Sequence, residues 1–201
     1  MELNTYPLVC TRGVVLYPNQ EIVIDVGRDT SVHAVENAQD NYDKKICLFS
    51  QKELEQEHPG VEDIYSVGTL CEVRHIRRFD NFLRVKFRGI KRVKLNKWIN
   101  GSLSELAEVE ILESEKQDAV EEEALVRMIG DELDRLQGQE RFVTKEIIME
   151  ISKGMGGEFL SDKAVQGLPL DTARKQQYLE TLGINDRLMM LLQDMAKEKK
   201  M

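Results

Sequence analysis

Residues 6–27 read YPLVCTRGVVLYPNQEIVIDVG, and the fold class turns on them. Two apolar runs stand out, Leu8 to Cys10 with Val14 to Tyr17, and then Ile22 to Val26, separated by Pro18-Asn19-Gln20-Glu21. Branched and aromatic residues in short runs, punctuated by Gly13, Pro18 and Gly27, predict buried strands joined by a tight connection. Pro18 fixes φ and has no N–H, which suits the edge or end of a strand. The stretch is a folding unit and names no chemistry by itself.

Downstream, Asp29-Thr30-Ser31 supplies N-cap residues for a helix over about Val32–Gln39, with Val32, Val35 and Ala38 facing a sheet. Lys45–Ser50 reads as a strand, Gln51–Gly60 as a polar loop, and Tyr65–Ile76 as a strand followed by a hairpin turn at Asp80-Asn81. Phe82–Arg88 then alternates, with Leu83, Val85 and Phe87 on one face and Arg84, Lys86 and Arg88 on the other. Gly89 breaks the period, Val93-Lys94-Leu95 resumes it, and a last strand lies around Ala107–Leu112. Several short strands with one helix among them predict an antiparallel or mixed sheet curling towards a barrel.

The period changes near residue 114. Val126, Ile129, Leu133 and Leu136 step by three and four within Glu115–Leu136, the stripe of an amphipathic helix. Thr144 caps a second helix carrying Ile147, Ile148 and Ile151, and Phe159–Gln166 forms a third. Asp171 caps a fourth with Tyr178, Leu179 and Leu182 inward, and Asn185 a fifth with Leu188, Leu191, Leu192 and Met195. That helix meets no stop signal before the chain ends, and reads as cut rather than finished. Charge divides the same way: residues 1–100 carry 15 Lys and Arg against 14 Asp and Glu, and residues 101–201 carry 13 against 22. The reading is α+β, with a β-rich unit over 1–113 and a helical bundle over 114–201.

Of the 201 residues 41% are hydrophobic and 32% charged, ordinary for a globular protein. No run approaches the ~20 apolar residues of a membrane span, and MELNTYPL has no secretory signal pattern. Cys10, Cys47 and Cys71, odd in number and set in apolar runs, give neither a disulfide framework nor a zinc pair, and point to a reducing, cytosolic compartment. There is no Gly-Lys dipeptide for a P-loop, no G-x-S-x-G and no H-E-x-x-H, and His33, His58 and His75 are scattered. No catalytic or metal site is therefore expected.

The charge feature above background is 74–97, ten basic residues against Asp80 alone. On paired strands Arg84, Lys86, Arg88, Arg92 and Lys94 would make a face able to meet phosphates of DNA or RNA, with Phe79, Phe82 and Trp98 for stacking. The plainer reading is a solvated sheet face charged against edge pairing, or a dock for an acidic protein surface.

Pro7–Pro18 with Ile22–Arg28 resembles the opening of the N-terminal domain of Lon proteases. The likeness continues through Pro59-Gly60-Val61-Glu62-Asp63-Ile64-Tyr65-Ser66-Val67-Gly68-Thr69 and through Val85–Val93. In the helical half it includes Phe159-Leu160-Ser161-Asp162, Lys175–Leu182 and Arg187-Leu188. Cys10-Thr11, Gly13 and Asn81 depart from the family pattern. The resemblance implies a PUA-like β subdomain tethered by a helical bundle to an ATP-dependent serine protease. The ATP- and magnesium-binding motor and the Ser-Lys dyad would lie beyond this chain, making it a non-catalytic fragment without a cofactor of its own. Its implied partners are unfolded or damaged proteins and further copies of the parent, a homo-hexamer. Apolar residues beside turns are the expected substrate contacts: Val14, Leu16, Tyr17 and Pro18, with Phe79 and Phe82 at the hairpin. Tyr17 and Pro18, next to the break, carry most of that expectation.

Overall fold

A computed structural model describes residues 3–135 and 145–198. Six strands and six α-helices follow in the order β1 (Leu3–Thr11), β2 (Glu21–Val26), α1 (Asp29–Asn41), β3 (Lys45–Ser50), β4 (Val67–Arg78), β5 (Leu83–Asn100), β6 (Glu105–Leu112), then α2 (Ala119–Arg135), α3 (Lys145–Ser152), α4 (Gly157–Gly167), α5 (Thr172–Glu180) and α6 (Ile184–Glu198). A 3-10 turn covers Val61–Asp63. The chain forms two compact units, Met1–Leu112 and Glu113–Met201.

In the first unit the strands run β2-β5-β4-β3-β1-β6, and β5 also pairs with β6, which closes a five-stranded barrel. The sheet is mixed: β1 lies parallel to β3 over Leu8–Thr11, and the other ladders are antiparallel. The 18 residues of β5 serve three neighbours. Its first part pairs with β2 from Arg88 back to Leu83, and its second part pairs with β6 from Arg92 to Asn100. Both face the edge opposite β4, and the exchange occurs around Gly89. Val9, Leu16, Val26, Val35, Ile46, Val73, Val85 and Phe87 form the larger core, with α1 contributing Ala34 and Ala38. Burial at that scale, about 1.5–3 kcal/mol per large aliphatic side chain, outweighs any exposed ion pair in the unit.

Val14–Tyr17 corrects the expectation of a second strand in the opening stretch: it is buried but unladdered. Its carbonyls are satisfied by hydroxyls instead. Thr11 Oγ1 and Ser50 Oγ donate to Val14 O at 3.0 and 2.6 Å, and Thr69 Oγ1 donates to Leu16 O at 2.5 Å. Side-chain donors meet the hydrogen-bond requirement of a buried backbone as well as a ladder does. The segment starts after Gly13 (φ 69°) and turns at Asn19 (φ 65°), a residue type that tolerates the left-handed region. It then docks on β5, with Asn19 N–H donating to Gly89 O (2.8 Å) and Gly89 N–H to Gln20 O (2.9 Å). A further correction concerns α1, which starts at Asp29 with Arg28 in the cap position and no side-chain cap. Ser31 is buried inside its first turn.

In the second unit, α2 buries Leu125, Ile129 and Leu133; Val126, expected in the stripe, is half-buried one position off it. Leu136 and Thr144 lie outside the described residues, as do the side chains of Ile147 and Ile148. Asp171 caps α5 as expected, accepting from Arg174 N–H at 2.7 Å. Asn185 is not a cap: it is buried in the first turn of α6 and donates to Asp118 O (3.0 Å), ahead of α2. Tyr178, Leu179, Leu188, Leu191 and Met195 fill the core. Asp194 is buried beside them, accepting from Tyr178 Oη (2.6 Å) and from Arg174 Nε and Nη2 (2.8 and 3.2 Å). The hydrogen bond from Arg174 to this carboxylate raises the pKa of the guanidinium.

A Cβ on Gly89 would run into the Tyr17 carbonyl and the Pro18 backbone. Gly89→Ala is expected to cost about 2 kcal/mol of stability in denaturant unfolding, because backbone rather than a flexible side chain must move. Asp194→Ala removes a buried acceptor from two donors and is expected to cost about 2–3 kcal/mol in the unfolding of the helical unit. Thermal and urea melts followed by circular dichroism check both.

Candidate functional site

Because β6 takes the first half of β1 (Leu3–Pro7), the second half pairs only with β3, and β2 pairs only with β5. Among the described residues no ladder joins β1 to β2. Between them lies a slot of about 360 Å³, walled by Val9, Cys10 and Thr11 of β1 and by Ile24, Asp25 and Val26 of β2. Arg12 and Val14 continue one wall, Gly27 and Arg28 the other, and Ser31 of α1 lines it as well. A smaller chamber of about 140 Å³ adjoins it past Cys10 and Arg28, lined by Glu57, His58, Pro59, Trp98 and Glu105 among others.

Arg28 stands between the chambers. Its Nη2 donates to Cys10 O at 2.7 Å and its Nη1 to Glu57 O at 3.3 Å. The carbonyl of the next residue, Thr11, accepts from Gln51 N–H on the β3 side (2.8 Å). Successive carbonyls of a strand point to opposite edges, so Cys10 O belongs to the edge facing the slot. Arg12 reaches the same loop through Gln56 O (3.5 Å). Desolvation and the like charge of Arg12 push the Arg28 pKa down. Burial pushes the Cys10 thiol up to about 11, against the pull of Arg28, so at neutral pH it is a thiol and a poor nucleophile. Among the described residues no cluster of His, Cys, Asp or Glu is placed to hold a metal ion, and no helix is long and apolar enough to cross a membrane.

The β4–β5 hairpin tip adjoins the slot at Gly27, whose nearest neighbours on the side a Cβ would occupy are Phe82 Cβ and Asn81 O. There Phe79 N–H donates to Phe82 O (3.0 Å), and the two rings stack with centroids 4.7 Å apart and planes 11° from parallel. Arg77 and Arg84 lie over the Phe79 ring at 5.0 and 5.2 Å. Phe79 is exposed (37%), a stacked aromatic surface held out on a turn.

The basic strand β5 meets acids from both strands that share its second edge. Arg84 forms a forked pair with Asp25 of β2 (Nε–Oδ1 2.8 Å, Nη2–Oδ2 3.1 Å), and Lys86 and Arg88 both reach Glu21 (3.2 and 3.4 Å). On the β6 side Lys94 stands opposite Glu110 and Lys97 opposite Glu108. Arg92 is buried, 5.9 Å over the Tyr17 ring, and cannot belong to an exposed face. This corrects the single-sign surface expected from 74–97: the acids come from the neighbouring strands, β2 far back in the sequence and β6 just after β5. The hydrogen bond from Lys86, followed by the charges of Lys86, Arg88 and Arg74, lowers the pKa of Glu21, and the hydrogen bond from Arg84 lowers that of Asp25.

Residues 5–197 match the family model of the ATP-dependent protease La (LON) substrate-binding domain. The chain belongs to the Lon substrate-binding domain family. Curated relatives include the Lon proteases of Brevibacillus choshinensis (31% identical over 194 residues, 96% of this chain and 25% of the relative). That of Escherichia coli K12 is 31% identical over 193 residues (96% and 24%). The chain thus spans about a quarter of the length of the Lon proteases it matches. Its fold is that of the N-terminal domain of Mycobacterium avium complex Lon protease (TM-score 0.78, 21% identity, 96% of this chain and 98% of that one). A Lon N-terminal domain protein from Xanthomonas campestris is also similar (TM-score 0.64, 15% identity, 94% and 97%).

In this Lon domain the expected contact residues part company. Val14 lines the slot, Phe79 and Phe82 adjoin it, and Pro18 is half-exposed against Gly89. Leu16 and Tyr17 are core, 2% and 0% exposed, because the segment after Gly13 dives under the sheet. Arg12, Ile24 and Arg28 were not among the expected contacts; the available signal for the two arginines was a charged residue set next to a glycine at the end of each strand.

Two outcomes are expected. Alkylation of Cys10 by iodoacetamide is slow at pH 7.5 and accelerates only as the pH nears 11, measured by mass spectrometry of the labelled peptide. The pairing of Glu21 and Asp25 with β5 has folded pKa values below the unfolded ones, so its contribution is full above the unfolded carboxylate range, about 4. It is lost as the pH falls through the lower folded values. Protection of the β2 amides, the intrinsic exchange rate divided by that observed by NMR, therefore falls below about pH 4, and Asp25→Asn weakens that dependence.

Proposed function

We propose that this domain captures exposed apolar segments of unfolded or damaged proteins for an ATP-dependent serine protease of Lon type, and does no chemistry itself. The observation that carries the reading is the match of nearly the whole chain to a substrate-binding domain family. The relatives so matched are named as Lon proteases, and their remaining three quarters leave room for an ATP- and magnesium-dependent motor and a protease module. In the parent, a cytoplasmic homo-hexamer, several weak contacts act together, and avidity replaces a tight single site. The helical bundle's part is to tie the β unit to the motor and support assembly.

The physical support is the surface around the hairpin. Phe79 and Phe82 present apolar area already ordered by stacking, so capturing an apolar side chain costs little further entropy. Val14 and Pro18 extend the contact set; Leu16 and Tyr17 leave it. A nucleic-acid role finds less support, since Arg84, Lys86 and Arg88 are already engaged by Asp25 and Glu21.

Fluorescence anisotropy with a reduced, alkylated and therefore unfolded protein tests the reading. The chain is expected to bind it and to ignore the native form. Phe79→Ala with Phe82→Ala is expected to weaken binding about tenfold, some 1.4 kcal/mol. Equal binding of native and unfolded forms, or peptide hydrolysis by the purified chain, would overturn it.

A further inference from the structure

The slot between β1 and β2 has two properties that the capture of apolar segments does not use. First, its two cations are engaged by main-chain carbonyls rather than by carboxylates. Arg12 and Arg28 both line it, Arg12 donating to Gln56 O and Arg28 to Cys10 O and Glu57 O. Asp25 lines it too, but its carboxylate is forked by Arg84. The first turn of α1, a 13-residue helix without a side-chain cap, supplies Ser31 to the same wall, and a helix N-terminus adds partial positive charge. Asp29 of that turn is exposed and does not line the cavity. Second, one wall is a strand edge whose Cys10 carbonyl is held by a guanidinium N–H, where an added strand would place a backbone N–H.

A strand edge and two convergent cations in one cavity fit a particular ligand. At about 360 Å³ the slot sits at the low end of ligand pockets, the room of a short terminal segment rather than a long peptide. The adjoining chamber is lined by Glu57 and Glu105, so an anion is favoured on the slot side of Arg28 and disfavoured beyond it. A guanidinium that donates to main-chain carbonyls keeps its full charge and gains more from a carboxylate, because charge-assisted hydrogen bonds are about twice as strong as neutral ones.

We propose that the slot binds the free C-terminus of a substrate polypeptide, its last residues extended along the open edge of β1 and its carboxylate held between Arg12 and Arg28. The inference rests on the substrate-capture reading and adds a terminal specificity to it: a chain end enters the slot while upstream apolar residues meet Phe79 and Phe82. Val9, Val14 and Ile24 then favour small aliphatic residues near that end.

The test uses the 201-residue chain and N-terminally fluorescein-labelled short peptides ending in Val-Val-Leu, as free acid, as C-terminal amide, and as an amide with an internal Asp. The free acid is expected to bind at least tenfold more tightly than the plain amide. Arg28→Met and the exposed Arg12→Met should each remove most of that difference, with circular dichroism melts confirming that each variant folds. Equal affinity of acid and amide overturns the proposal, as does a preference that survives both substitutions. An Asp-bearing amide that matches the free acid overturns the terminal part, since any carboxylate would then serve. In each of those cases continued binding of unfolded protein leaves the broader reading standing. Failure to bind unfolded protein at all defeats that broader reading directly.

Discussion

A strand has two edges, and β5 has three partners. β4 occupies one edge along most of its length, so β2 and β6 must share the other in succession. The exchange at Gly89 works because the chain just before β2 is pressed onto it, closely enough that only a hydrogen fits beside the Tyr17 carbonyl. Once β6 has bridged β5 to the first half of β1, nothing in the barrel remains to cover the second half. The slot is thus a remainder left by strand accounting, with one wall in the barrel and the other on β2, which hangs from β5 alone.

Stability in this arrangement comes from apolar burial, with polar groups setting where things sit. Val14–Tyr17 shows the division clearly. Its side chains supply core area, while three hydroxyls from Thr11, Ser50 and Thr69 fix its carbonyls. Arg28 fixes Cys10 O and the Gln51–Gly60 loop in the same manner at the slot. The exposed pairs between β2 and β5 contribute little energy each but specify which residues oppose one another.

Much of this was legible in the residue order. Alternation at Leu83, Val85 and Phe87, the break at Gly89 and the three-and-four stepping after residue 114 each correspond to an observed element. The α+β fold and family membership were readable from the opening stretch together with later segments. What periodicity could not reveal was pairing at a distance. The basic run in β5 looked unopposed because Glu21 and Asp25 sit on a strand remote in sequence, and Glu108 and Glu110 on the next strand, outside the run itself. Tyr17 looked accessible because a proline follows it, whereas the hydroxyls of Ser50 and Thr69, far along the chain, help to bury the segment that carries it. The slot left almost no local trace, since an absent pairing has no residue pattern.

The closing ladder of the barrel also constrains how the β unit comes into being. Leu3 pairs with Glu110, and Tyr6 with Ala107, so β1 finds its second neighbour only after more than a hundred residues have followed. Contacts of such long sequence separation carry a large loop-closure cost before any reward and slow folding. Emerging from a ribosome, β1 must wait with one side unmatched until β6 arrives. A nascent chain of this kind displays for a time the same exposed strand edges that mark unfolded proteins.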